Sequence, residues 1–457
     1  MKKSTIEFEK VREKLDKEKA FHMESLFKLI RQPSISAQNR GVLECANLLA
    51  TMMKDAGIDT KTLDTEGYPV VYGEVLHPDN KLTVLFYGHY DVQPPEPLEL
   101  WNSDPFEPTI HDGKIYGRGT GDNKGQLIAH VLAVKSLLDL YGKLPINVKF
   151  LFEGEEEKGS INLALFVENN KELLAANIAY TADGPMEGKD QPSVTLGNRG
   201  LLYIELKAQG AIKDNHSGNK GNIAPNPAMD LINLIRTMVD PNGKVLIKDF
   251  YNDILTPTGE ELDHIRSLPF DPEATANVIG MHKIGLSAEE YYKKLCLSPT
   301  FNIAGFGSGY TGEGTKTIIP SEAKVKIDMR LAADQDPDLI FQNIIEHVKH
   351  FNSPSTITID YLGGVKPSRT PMHLDIVQKI IRAVEISHNK MPVVLPALGG
   401  TGPMYVFTDI LKIPSLTVPY ANVDEDNHAP NENMGIKEYL NGIQTTCAAI
   451  LHLGEQI

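Results

Sequence analysis

Cysteine is scarce. The 457 residues hold 3, Cys45, Cys296 and Cys447, far apart and with no CxxC pair. That excludes a disulfide framework and points to a reducing compartment. No apolar run reaches the roughly 18 residues of a membrane span, so no membrane partner is expected. The stretch from Met1 to Lys19 is densely charged and lacks the apolar core of a secretory signal, so a cytoplasmic protein is expected. A dense Lys/Arg block is missing too. With 45 Lys and Arg against 60 Asp and Glu, the formal net charge is −15, which disfavours nucleic acid as a partner. No internal repeat or low-complexity tract breaks the chain.

What remains is an ordinary globular composition, 41% hydrophobic and 23% charged. The length predicts two or three folding units. The first forty residues read as helix, ending near Pro33, and Gly41–Ala56 reads as a second, with Gly57 closing it. Leu82–Tyr87, Asn147–Phe152 and Asn177–Thr181 read as buried strands, with a helix over Gly125–Tyr141. This rhythm argues for an α/β sheet flanked by helices. After Asn198 the texture changes. Leu201–Gln209 alternates like a half-exposed strand, Thr317–Leu331 contains a longer alternating strand and Ser355–Tyr361 is another. With helices at Pro227–Val239 and Asp336–Phe351 they suggest an α+β unit with one solvated sheet face. The α/β pattern then resumes with a helix at Leu374–Ser387, a strand at Ser415–Val418 and a helix at Gly435–Leu453. The expected organisation is a catalytic domain over 1–199 and 364–457, interrupted by an inserted α+β domain over 200–363. The segment Asp249–Asn302 matches no motif.

Chemistry-bearing residues fall at strand ends, where open α/β sheets bind ligands. Gly88-His89-Tyr90-Asp91 follows the first strand, Glu155-Glu156-Glu157 the second and Asp183 the third. Asp122 lies in the loop Gly117-Arg118-Gly119-Thr120-Gly121-Asp122-Asn123-Lys124-Gly125, before a helix. Asn427-His428-Ala429-Pro430 follows the late strand. A lone histidine at a strand end is more often hydrogen-bonded than metal-bound, and a Glu run is usually a solvated turn. The glycine-rich loop lacks the GK[ST] ending of a phosphate cradle. Two histidines and three carboxylates with a spare carboxylate beside one of them, however, form the inventory of a paired zinc site.

In their order along nearly the whole chain, Gly88-His89-Tyr90-Asp91-Val92-Gln93-Pro94, the Gly117–Gly125 loop, Glu156-Glu157-Lys158-Gly159-Ser160, Met329-Arg330 and Asn427-His428-Ala429-Pro430-Asn431-Glu432 resemble the zinc aminoacylase/carboxypeptidase superfamily. This is metallopeptidase family 20, with its carnosinase-type dipeptidases, glutamate carboxypeptidase and succinyl-diaminopimelate desuccinylase. The resemblance implies a zinc-peptidase catalytic domain with a mixed sheet flanked by helices, an inserted α+β lid or dimerisation domain, and a homodimer. It implies two zinc ions per subunit, with Mn²⁺ or Co²⁺ also suited to the ligand set. His89 and Asp183 would hold one ion and His428 and Glu157 the other, with Asp122 bridging and a cis peptide following it. Glu156 would be the general base, Glu155 being the alternative, and Asp91 would support His89. His216 would stabilise an oxyanion from the opposite subunit. Arg330 would clamp a substrate carboxylate, with Thr401, in Gly399-Gly400-Thr401-Gly402-Pro403, nearby.

A free carboxylate beside a metal-bound one suits the base role, because a metal-engaged carboxylate has its lone pairs occupied. The expected activity is hydrolysis of dipeptides or short peptides next to a free carboxylate. An N-acyl-amino-acid deacylase is the alternative within the same chemistry, and a non-catalytic, metal-stabilised interaction protein the alternative outside it.

Overall fold

Near-continuous apolar runs demand burial on both faces, and those runs occupy the middle of the largest sheet. The computed structural model describes residues 2–455. Its eight-stranded sheet has the spatial order Asp59–Leu63, Val70–Val75, Asn147–Glu153, Thr83–His89, Ile178–Thr181, Ser415–Thr417, Ser193–Thr195, Val393–Leu395. The four strands from Asn147–Glu153 to Ser415–Thr417 run parallel. The pair at the Asp59 edge is antiparallel, so the sheet is mixed. Within Thr83–His89 every residue after Thr83 is buried. Helices Lys19–Ile30, Lys124–Tyr141, Asp375–His388 and Ile436–Leu453 pack against one another and share a single core with the sheet. No helix among the described residues is long and apolar enough to cross a membrane.

The chain divides into two compact units. One comprises Met1–Gly197, Arg369–Pro396 and Val406–Ile457, the other Asn198–Ser368 and Ala397–Tyr405. The second unit is broader than the expected 200–363 and includes the Ala397–Tyr405 loop. Hydrogen bonds explain the difference: Asn198 Nδ2 donates to Gly402 O, Arg199 Nε to Gly399 O and Arg330 Nη1 to Thr401 Oγ1. Taken by itself, this unit holds a four-stranded antiparallel sheet in the order Asn302–Ser308, Glu322–Leu331, Gly200–Gln209, Thr356–Val365. Strict alternation along Gly200–Gln209 and Glu322–Leu331 buries one face against helices Pro227–Met238 and Pro337–His350. The helix Pro337–His350 starts as its sequence dictates, with Pro337 in its first turn and Asp336 Oδ1 accepting from Asp338 N and Leu339 N.

Candidate metal centre

Adjacent parallel strands place their carboxyl ends side by side, about 4.8 Å apart. His89 is the last residue of Thr83–His89, and Glu156 and Glu157 form a tight turn just after Asn147–Glu153. Asp183 follows Ile178–Thr181. Two further donors arrive on loops. Asp122 precedes helix Lys124–Tyr141, with a cis peptide between Asp122 and Asn123. His428 sits beyond Ser415–Thr417 at φ +59, a left-handed turn.

These five side chains converge. Asp122 Oδ1 is 3.2 Å from His89 Nε2, and Asp122 Oδ2 is 3.0 Å from His428 Nε2. Asp183 Oδ2 lies 3.9 Å from His89 Nε2, and Glu157 Oε2 lies 3.3 Å from His428 Nε2. Two donor triads result, His89/Asp122/Asp183 and Asp122/Glu157/His428, with the donor atoms of each within 4.8 Å of one another. Asp122 belongs to both. His89 is fully buried, yet its Nε2 has no hydrogen-bond partner.

The surroundings hold the donors in place. His89 Nδ1 faces the main-chain oxygen of Asp91 at 3.1 Å and its carboxylate at 3.4 Å, so both groups of Asp91 orient the ring. The same carboxylate accepts from Glu156 N and Glu157 N, both at 3.2 Å, and so shapes the turn. Asp183 Oδ1 accepts from Asn123 Nδ2 at 2.9 Å and from Gly184 N. Gln93 Nε2 donates to Glu157 Oε2 at 2.8 Å. Glu156 takes part in neither triad. Glu155 is buried and its carboxylate is held by Asn162 Nδ2.

The remaining three expected residues lie in the second unit. His216 is exposed, and its Nδ1 accepts from Gly218 N, which puts the proton of the neutral ring on Nε2 as a donor. Arg330, at the end of Glu322–Leu331, donates to Thr401 Oγ1 at 2.6 Å, and that hydroxyl donates to Arg199 O. Arg199 spends its own guanidinium on the carbonyls of Gly399, Lys294 and Ser298. All of these acceptors are neutral oxygens.

Residues 85–452 match Peptidase family M20/M25/M40. The chain belongs to this family. It is a metallohydrolase. Among its relatives, the human Beta-Ala-His dipeptidase is 30% identical over 85% of this chain and 78% of that one. The Cys-Gly metallodipeptidase DUG1 of Candida albicans is 29% identical over 95% of this chain and 94% of its own. Among solved structures, the M20 family metallo-carboxypeptidase Sso-CP2 from Sulfolobus solfataricus superposes with a TM-score of 0.84 at 37% identity, covering 94% of this chain and 98% of that one.

The electrostatics of this M20 chain suit cations at the two triads. Burial alone would lower the His89 pKa, but the Asp122 and Asp91 carboxylates carry it well above the ordinary value. Hydrogen bonds to Asp122 and Glu157 push His428 up to about 10. Burial, reinforced by Asp122, raises Asp183 to about 6. Protons here do what a cation would do, neutralising carboxylates crowded around two imidazoles. Imidazole and carboxylate donors, three to a site with one shared, fit a pair of divalent ions of the zinc, manganese or cobalt type.

The motifs alone assign no role to Gln93, Asn123 and Glu432, although all three stand inside them. Their signal is weak, because each acts through a contact that only the folded loops create.

Proposed function

We propose that this chain is a two-zinc dipeptidase that hydrolyses the amide bond of dipeptides or short peptides beside a free carboxylate. The observation that carries the reading is Asp122, whose two carboxylate oxygens each face a different imidazole and which completes two donor triads. In this reading His89 and Asp183 would hold one cation and Glu157 and His428 the other, and Asp122 would serve both. Bound zinc would supply Lewis-acid polarisation of the scissile carbonyl and a water acidified to near neutrality.

The chain's own residues do the rest. Glu156 accepts the proton of the attacking water and returns it to the leaving amine. Asp91 fixes the turn that carries Glu156 and the ring of His89. Arg330 binds the substrate carboxylate as a planar fork, and Thr401 sets the orientation of that fork. His216, with Nε2–H as donor, stabilises the developing oxyanion from the opposite protomer of a homodimer. The inserted unit serves as lid and dimerisation domain, and the protein works in the cytoplasm.

The relatives named as dipeptidases support the peptide substrate. A panel of free dipeptides against N-acetyl- and N-succinyl-amino acids, run on chelator-stripped and zinc-restored protein, tests the proposal. Zinc-dependent turnover of the dipeptides is the expected outcome. Turnover confined to the acylated amino acids would replace the reading with a deacylase, and zinc-independent turnover would end it.

A further inference from the structure

One buried carboxylate takes no place in the triads, yet it binds the main chain of the loop that ends in Asp122. Glu432 is fully buried and accepts an unusual number of main-chain donors from one loop. Its Oε1 accepts from Gly119 N, Gly121 N and Asp122 N, each at 3.0 Å. Its Oε2 accepts from Gly119 N at 3.0 Å and from Arg118 Nη1 at 2.7 Å. Its own carbonyl accepts from Gly117 N. Successive N–H groups pointing at one anion form a nest, which needs a chain able to curl. The glycines provide that curl. Gly119 has φ +89, and a side chain at Gly121 would strike the Glu425 carboxylate at 2.2 Å.

The loop that Glu432 gathers ends in the shared donor Asp122. Glu432 also stands four residues after His428. One carboxylate thus ties together the two loop-borne donors, which no strand end positions. The charge is balanced by Arg118, 1% exposed, whose Nη2 reaches Pro94 O and whose guanidinium lies 5.4 Å from the Trp101 ring centre. Pro94 closes the motif that carries His89.

We propose that Glu432, through its grip on the Gly119–Asp122 main chain, is a positioning residue that sets the separation of Asp122 and His428 and with it the affinity for the paired cations. The inference rests on the metal reading given above. Its role lies in the alignment of ligands, and the fold of the catalytic unit is held by a separate core.

The test is zinc affinity and stoichiometry, measured by competition with a colorimetric chelator, together with the melting temperature of the zinc-free protein. Glu432→Gln keeps the size but loses the charged acceptor and strands Arg118. The paired variant Glu432→Gln/Arg118→Met removes both charges. Val384→Ala, a core truncation distant from the loop in sequence and contacts, supplies a destabilised control. Glu432→Gln is expected to bind zinc ~10–100-fold more weakly, the range for residues that support metal ligands. The paired variant recovers melting temperature without recovering zinc affinity, and Val384→Ala loses melting temperature while keeping affinity. Should the single variant fail to fold, the paired variant decides. Wild-type zinc affinity in either Glu432 variant overturns the inference while the metal reading stands. Failure of the wild-type protein to take up zinc overturns the metal reading itself.

Discussion

Replacing Asp91 by asparagine changes one atom and should disturb both halves of the proposed chemistry. Asp91 is fully buried. Its Oδ1 accepts from Glu156 N and its Oδ2 from Glu157 N, each at 3.2 Å. An amide has one oxygen. Whichever way the new amide turns, its NH₂ faces one of these N–H groups, and a buried donor loses its acceptor at a cost of about 1–3 kcal/mol. The turn carrying Glu156 and Glu157 should relax by shifting, and a misplacement of about 1 Å can cost ~100-fold in rate. The His89 ring meanwhile loses the carboxylate at 3.4 Å but keeps the Asp91 main-chain oxygen at 3.1 Å. Its tautomer therefore survives and its basicity falls. The expected result is zinc binding weakened ~10–100-fold, with kcat down by ~100-fold even at saturating zinc. Chelator competition gives the first number and steady-state dipeptide hydrolysis the second. A folded Asp91→Asn protein whose affinity and kcat both stay within about threefold of wild type, well inside the losses expected of a displaced catalytic turn, would refute the reasoning.

Glu156→Gln should keep two zinc ions per subunit and lose ~10²–10⁴-fold in kcat, the contribution of a general base; unchanged turnover removes Glu156 from the mechanism. Arg330→Met should raise KM for free dipeptides by about 10–100-fold, as expected for a charged hydrogen bond worth ~1.5–3 kcal/mol, while leaving C-terminal amides almost unaffected; equal losses on both substrates contradict the carboxylate clamp. Mixed dimers of Glu156→Gln and His216→Ala protomers should regain activity that neither parent has, and no gain after verified subunit exchange argues against a histidine shared across protomers. Buried His130 sits against Phe86 at 4.6 Å, and burial lowers its pKa to about 3. Since the folded state favours the neutral ring, this stability is complete above pH ~6.5 and declines as pH falls toward 3, reaching about 3 kcal/mol lost at pH ~4.5. His130→Phe should flatten that part of the stability curve, as read by urea melts at several pH values, and an unchanged pH dependence rejects the assignment.

Much of the catalytic unit is legible because burial leaves a strong mark on sequence. LTVLFY and NVKFLF fit only central strands, and the acids and histidine placed at their ends then have to share one edge. The edge strand Asp59–Leu63 escapes, since DTKTL is polar and carries no buried run. The longer alternating strand expected within Thr317–Leu331 is Glu322–Leu331, set off from the short Ile318–Ile319 by Pro320, which has no N–H to give a ladder. The unread stretch Asp249–Asn302 contains helices Gly259–Ser267, Pro272–Ile279 and Ala288–Tyr292. Two of these open with capping boxes, Thr258 with Glu261 and Ser287 with Glu290, a signal that the sequence does carry. The unbroken helix expected over the first forty residues is two, Lys2–Lys17 and Lys19–Ile30.

The donors are legible for a reason that also sets how firmly each is held. His89, the Glu156-Glu157 turn and Asp183 sit on or within a few residues of three parallel strands that are direct neighbours in the sheet. Their spacing is inherited from a hydrogen-bond ladder that many core residues support, and it is visible to anyone who can pair the strands. Asp122 and His428 have no such ladder. They lie on loops, and loops keep a geometry only where their main-chain groups find fixed partners. Asn123, Glu432 and Arg118 supply those partners through contacts between segments up to 314 residues apart in sequence. Strand order therefore decides which side chains can meet, whereas the loop anchors decide how closely they do. In the proposed site, where two cations would share Asp122, that second decision would govern affinity. The residues hardest to find from sequence are accordingly those whose loss should weaken metal binding while leaving the sheet intact.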